Sequence, residues 1–266
     1  MEKKDYPHGL VMIQPHPLPG SYLNDGESFN EVLSVVMEEA KMVVENGFDG
    51  FILQNMHDGP VHQTARPETI AYMAVIGKEL KRNYPDKILG ILVNWDGVAS
   101  LAVAEACDAD FVRVEYLYTG VSVNSTGFMH GQCIDVCEMK KRIGSNIPVY
   151  ADAQEINSMY LCPKPKVDTA VEVVKSAYAD GVFMSGTNLN ESLELIKEVR
   201  KKLPNTPIYL GGGATGENIR ELLNYYDGVS VATWIKNGDM KNPIDENRAK
   251  YFMEEITKAR EDRKNK

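Results

Sequence analysis

The sequence has little cysteine and arranges none of it for metal or redox chemistry. Four cysteines occur in 266 residues, Cys107, Cys133, Cys137 and Cys162, and no two form a Cys-x-x-Cys pair. Cys133 and Cys137 are four apart and would share one face of a helix. They read as reduced helix or core cysteines of a cytoplasmic protein. No run of 18 apolar residues occurs, so no membrane span is expected. Residues 1–6 are charged and lack an apolar core segment, so no secretory signal is expected. Basic runs are missing except in the last few residues, and the formal net charge is −9. A nucleic-acid backbone or an anionic membrane surface is therefore not an expected partner. A small anionic ligand remains compatible, because a local nest of backbone N–H groups binds anions inside an acidic protein.

What is present is a rhythm of short apolar runs alternating with amphipathic helical stretches. Strands are expected at 9–13, 50–54, 88–93, 111–117, 148–151, 181–184, 207–210 and 228–232. Helices are expected at 28–45, from 67 to just before Pro85, and at 98–106, 133–143, 167–178, 191–202, 217–223 and 245–261. The first helix carries Val32, Leu33, Val36, Ala40 and Val43 on one face and stops at Gly47. Several strands are apolar at consecutive positions, as parallel strands buried on both faces are. Eight such units, with no composition break, predict an α/β fold, a single (β/α)8 TIM barrel over residues 1–266. The segments 118–130 and 159–166 read as loops after strands, on the face where barrels carry their sites.

The sixfold run Gly211-Gly212-Gly213-Ala214-Thr215-Gly216 falls between the seventh strand and its helix. Glycines let backbone amides approach an anion closely, and a following helix would add unpaired N–H groups and the positive end of its dipole. Ala232 and Thr233 end the eighth strand, and in many barrels the loops after strands seven and eight form a phosphate site. Ser185-Gly186-Thr187 after the sixth strand offers further hydroxyls from Ser185 and Thr187, or simply caps the next helix.

Most strands end on a polar residue: His16, Asn55, Asn94, Glu115, Asp152 and Ser185, with Asp58 and Asp96 just beyond. Strand ends converge on one rim of a barrel, so these side chains are expected to face one cavity. Asp152, Glu115, Asp58 and His16 are the candidates for acid–base work, since neighbouring carboxylates push one another's pKa values apart. Arg113 shares parity with Glu115, so an ion pair between the two is an equal reading of Glu115. Asn55 and Asn94 suit binding of ligand hydroxyls better than proton transfer. The same carboxylates and imidazole allow a divalent metal, ranked last because no His-x-His pair is present.

These segments resemble the BtpA/SgcQ family of barrel proteins. The likeness runs nearly the whole chain: Pro15-His16-Pro17-Leu18-Pro19-Gly20, Gly47-Phe48-Asp49-Gly50, Gln54-Asn55, Asp58-Gly59-Pro60, Phe111-Val112-Arg113-Val114 and Ala151-Asp152. It continues through Ser185-Gly186-Thr187, Gly211-Gly212-Gly213-Ala214-Thr215 with Asn218, and Thr233-Trp234-Ile235-Lys236. The resemblance implies a barrel. It also implies either a membrane-associated factor of photosystem I biogenesis or a nucleosidase or sugar-phosphate enzyme. The chain departs from the family where a Lys-His pair usually follows the fifth strand. Here Asp152-Ala153-Gln154-Glu155 stands instead, and Glu155 is the nearest replacement.

Three functions follow. The first is an enzyme that holds a phosphorylated sugar or nucleoside-like compound at the glycines and works by acid–base chemistry. The second is a non-catalytic binding or assembly factor. The third is a metal-dependent hydrolase using His16, Asp58 and Asp152. A homo-oligomer is compatible with each.

Overall fold

Parallel β-strands close into a ring in the computed structural model, which describes residues 6–118 and 121–265. In chain order the strands are β1 (His8–Ile13), β2 (Gly50–Gln54), β3 (Ile88–Leu92), β4 (Phe111–Val114), β5 (Val121–Asn124), β6 (Gly127–His130), β7 (Val149–Asp152), β8 (Met159–Tyr160), β9 (Gly181–Met184), β10 (Ile208–Leu210) and β11 (Gly228–Val231). The helices are α1 (Phe29–Glu45), α2 (Pro67–Asn83), α3 (Gly97–Cys107), α4 (Cys133–Ile143), α5 (Lys166–Lys175), α6 (Leu189–Lys202), α7 (Ile219–Leu222) and α8 (Glu246–Lys264). The ring order is β1-β11-β10-β9-β7-β4-β3-β2, so the expected closed barrel with eight helices is found.

Local chemistry places the helices. Ser28 and Glu31 form a reciprocal capping box at α1, and Asp245 caps α8 by accepting from the Arg248 amide at 3.1 Å. Pro67 opens α2, where its missing N–H costs nothing. Strand side chains then alternate between the helix layer and the barrel interior. Val112 and Val114 pack outward in the large apolar core, while Leu10, Met12, Ile52, Leu92, Phe111, Tyr150, Phe183 and Tyr209 fill the inside. The interior below the rim is thus an aromatic-rich floor, with the Phe111 and Tyr150 rings 5.1 Å apart.

The opposite face of the barrel holds a repeat that the sequence reading missed. An aspartate precedes every second barrel strand and accepts the backbone N–H of the strand before it. Asp49 takes Gly9 at 2.6 Å, Asp110 takes Leu89 at 2.8 Å, Asp180 takes Val149 at 2.8 Å and Asp227 takes Ile208 at 2.9 Å. Each aspartate also meets a cation from an even-numbered helix: Arg260 of α8, Lys81 of α2, Lys140 of α4 and Arg200 of α6.

The segments expected as loops carry a small antiparallel sheet, ordered β6-β5-β8. It joins the excursion after β4 to the excursion after β7. Ser122 and Met129 point into the protein and are buried, whereas Phe128 and Met159 flank Val123 in register on the outer face, 66% and 75% exposed. The α7 helix is also shorter than expected, a single turn of four residues.

Candidate functional site

Strand alternation decides which rim residues look inward. Residues two beyond the floor layer do so: Gln14 above Met12, Gln54 above Ile52, Arg113 above Phe111 and Asp152 above Tyr150. They line one cavity of about 630 Å³ at the C-terminal ends of the strands. The cavity also takes in Glu115, Glu155, Ser185, the stretch from Gly211 to Thr215, Ser230, Ala232, Thr233 and Arg248.

On the β4–β7 wall, Arg113 grips Asp152 with two hydrogen bonds, Nε to Oδ2 at 2.8 Å and Nη2 to Oδ1 at 2.7 Å. The guanidinium sits 4.4 Å above the Phe183 ring. Burial opposes the Arg113 charge, yet the Asp152 carboxylate and its hydrogen bonds outweigh burial and push the guanidinium pKa up. This corrects the same-strand expectation: Arg113 pairs across the sheet with Asp152, not along the strand with Glu115. β4 and β7 are neighbours with Arg113 opposite Tyr150, so Asp152 lies one inward-facing position higher on the adjacent strand.

Among the described residues Glu115 has no salt-bridge partner, and its buried Oε2 accepts no hydrogen bond. Burial, then the nearby Asp152 charge, lifts its pKa from 4.5 to about 8, against the pull of Arg113. Its surroundings therefore favour the protonated form of Glu115. Glu155 stands beside this group, held by the Asn157 amide at 2.7 Å and the Asn157 side chain at 2.9 Å. Burial raises its pKa too, with Asp152 adding to the effect.

On the opposite wall, amides replace carboxyls. Gln14 Nε2 donates to Gln54 Oε1 at 3.0 Å, and Gln54 Nε2 donates to Asn94 Oδ1 at 2.8 Å. Gln14 Oε1 is buried and unpartnered, as is the Ser230 hydroxyl on the strand next to β1.

The third sector is the glycine turn. Asn218 braces it by accepting the Thr215 amide at 2.9 Å and donating to the Gly213 carbonyl at 2.9 Å. Gly213 has φ +72°, a conformation that favours glycine. Gly216 is required by close approach, since a Cβ there would meet the Tyr251 ring at 2.4 Å. Ser185, Thr215, Ala232 and Thr233 line the same sector. A one-turn α7 has little dipole to offer, and the positive charge at this cavity comes from a side chain with no local sign in the sequence. Arg248 lines the cavity, its guanidinium 5.0 Å from the Trp234 ring and bonded to the Trp234 carbonyl at 2.9 Å.

Other candidates lie outside the cavity. His16 is 46% exposed and pairs with Glu27 at 3.0 Å. Asp58 accepts the Leu18 amide at 2.7 Å and the Asn55 side chain at 2.9 Å, and burial raises its pKa. Asn55 also accepts the Asn94 amide at 2.8 Å. Asn55, Asp58 and Asn94 border a separate pocket of about 290 Å³. Parity is the reason for Asn55 and Asp58, because Gln54 is the β2 residue that points inward. Thr187 turns away and donates to the Glu191 carboxylate beside the Asn188 cap of α6. His16, Asp58 and Asp152 thus face three different partners, and among the described residues no three His, Cys, Asp or Glu side chains stand together to hold a metal ion.

The sequence model of the BtpA family matches residues 8–258. The chain belongs to the BtpA family. An uncharacterized relative from Methanocaldococcus jannaschii is 32% identical over 92% of this chain and 93% of its own length. The photosystem I biogenesis protein BtpA of Synechocystis is 28% identical over 94% of this chain and 88% of its own. Among solved structures, phosphoribosylanthranilate isomerase from Thermotoga maritima superposes with a TM-score of 0.55 at 14% identity, covering 94% of this chain and 98% of that one. That likeness is one of fold. No helix of the described residues is long and apolar enough to cross a membrane.

Proposed function

We propose that this member of the BtpA family is an enzyme acting on a phosphorylated sugar or nucleoside-like small molecule. The reading is carried by one observation: a glycine turn suited to an anion and Glu115, whose buried Oε2 has no partner among the described residues, line the same cavity. The phosphate lies against the Gly212 and Gly213 amides and Thr233, with Arg248 supplying charge. Glu115 is the acid–base group, its pKa near the working range of a proton donor. Both oxygens of Asp152, another of the acid–base candidates, are committed to Arg113, so Asp152 fixes Arg113 and favours the protonated form of Glu115. Glu155 fills the position where the family usually has a Lys-His pair and is the second proton-handling group. The barrel fold shared with an isomerase named for a phosphoribosyl compound is in keeping with this reading.

The test is a thermal-shift survey with ribose 5-phosphate, glucose 6-phosphate and nucleotides, followed by turnover assays on whatever binds. A ligand at 100 times its Kd stabilises by about 2.7 kcal/mol. Glu115→Gln should keep that stabilisation and lose turnover. Absence of any shift, or full activity in Glu115→Gln, refutes the assignment.

A second reading is favoured by the exposed Phe128 and Met159 on the β5–β6–β8 sheet, a face that an assembly factor would use. Under it, Phe128→Ser with Met159→Ser fails to complement a deletion strain while Glu115→Gln succeeds. The reverse pattern eliminates it.

A further inference from the structure

The amide wall has an unused end. In the row Gln14–Gln54–Asn94 each NH2 donates to the next carbonyl oxygen, and the last NH2, Asn94 Nδ2, meets Met56 Sδ at 3.6 Å. A thioether sulfur accepts and cannot donate. The same holds at the other end, where Gln14 Nε2 also lies 3.6 Å from Met240 Sδ. The two sulfurs therefore set the direction of the row: the NH2 groups of Gln14 and Asn94 face them, and the Gln14 Oε1 is left over. That oxygen is buried on a cavity-lining residue only 5% exposed and accepts from nothing among the described residues.

A buried acceptor without a donor in the fold is costly and calls for a donor from outside the chain. An amide oxygen can be satisfied only by a donor. The Ser230 hydroxyl on adjacent β11 also has no partner among the described residues, and Ser230 lines the same cavity, adding a group able to donate or accept a hydrogen bond. In the ring order β11 and β4 are diametrically placed, so these two groups face the Glu115 wall across the cavity. The glycine turn after β10 lies to one side, between them in ring order.

We propose that Gln14 is a specificity-determining residue that reads a hydroxyl or N–H donor on the uncharged part of the ligand, and that the Gln54–Asn94 relay holds its oxygen toward the cavity. The inference rests on the phosphate reading above and adds the chemistry of the other end. The ligand must present a donor toward β1 and β11 while its reacting centre faces Glu115. An apolar phosphate ester of the same size lacks that donor and is rejected, because it would leave Gln14 Oε1 buried and unpaired.

The experiment measures calorimetric affinity for methyl phosphate, glycerol 3-phosphate, ribose 5-phosphate, glucose 6-phosphate and neutral ribose, on the full chain and on Gln14→Leu. The hydroxyl-bearing phosphates should bind at least about tenfold more tightly than methyl phosphate. Gln14→Leu should shrink that ratio toward one while leaving methyl phosphate affinity unchanged. Unchanged methyl phosphate affinity also shows that the variant folds. If Gln14→Leu is unstable, Gln14→Met, of similar length and flexibility, replaces it. A ratio that survives in the variant, or that never exceeds one in the parent, overturns the role of Gln14 and leaves the phosphate reading intact. Saturable binding of ribose that Gln14→Leu abolishes, without binding of any phosphate, supports Gln14 and overturns the anion grip. No binding of any of the five compounds overturns both.

Discussion

Replacing Glu115 by Gln should change how stability responds to pH. Glu115 titrates at about 8 in the fold and at 4.5 in the absence of its surroundings, because burial and the Asp152 charge disfavour its anion. A carboxyl raised in this way contributes stability that is fully present below pH 4.5 and is lost as pH rises through about 8. At about 1.4 kcal/mol for each pH unit across that gap, the loss between pH 5 and pH 7 is roughly 2–3 kcal/mol. Asp58 and Glu155 are shifted the same way and add to the slope, so the comparison must be between parent and variant. Glutamine copies the protonated carboxyl in shape and cannot ionise. Urea denaturation at pH 5, 6, 7 and 8 should show Glu115→Gln gaining on the parent by roughly 2–3 kcal/mol from pH 5 to 7. A stability difference that is flat across this range would mean that Glu115 is not a buried neutral acid, and the proton-donor assignment would go with it.

Three further outcomes follow from the geometry. Arg113→Met should destabilise the fold by roughly 3–5 kcal/mol by stranding the Asp152 carboxylate, and Asp152→Leu in the same chain should recover most of that loss in denaturant titrations. Gly213→Ala must adopt a positive φ and should lose about 1 kcal/mol of stability together with affinity for phosphate, read by calorimetry. Asp227→Ala takes the acceptor from the Ile208 amide and the carboxylate partner from Arg200, and should lower stability by roughly 1–3 kcal/mol without changing phosphate affinity.

The eight strand–helix units were legible because each is a local signal: a β-rich run, a cap, a stop. The three-stranded sheet at the rim escaped, although Val121-Ser122-Val123-Asn124 alternates as a half-buried strand does; its third strand is two residues long and comes from a distant loop. Parity along β2 could have placed Gln54 rather than Asn55 in the cavity. The Arg113–Asp152 pair could not be read, because it depends on which strands are neighbours and in what register. Glu115 was found by its place at a strand end, whereas Gln14, Ser230 and Arg248 carry no local sign of function. Gln14 and Ser230 gain theirs from orphaned atoms that only a packed structure reveals.

The four aspartate clamps bear on the ring as a whole. Three of them bind a unit to the helix that precedes it in sequence, and the fourth, Asp49 with Arg260, binds the first unit to the last helix in the same chemical manner. The barrel therefore has no weak seam where its two ends meet. A circularly permuted chain, opened between two other units and joined near residues 6 and 265, would keep all four clamps. The face away from the cavity is a fourfold hoop with interchangeable quarters, and the individuality of this protein resides in the rim that the hoop supports.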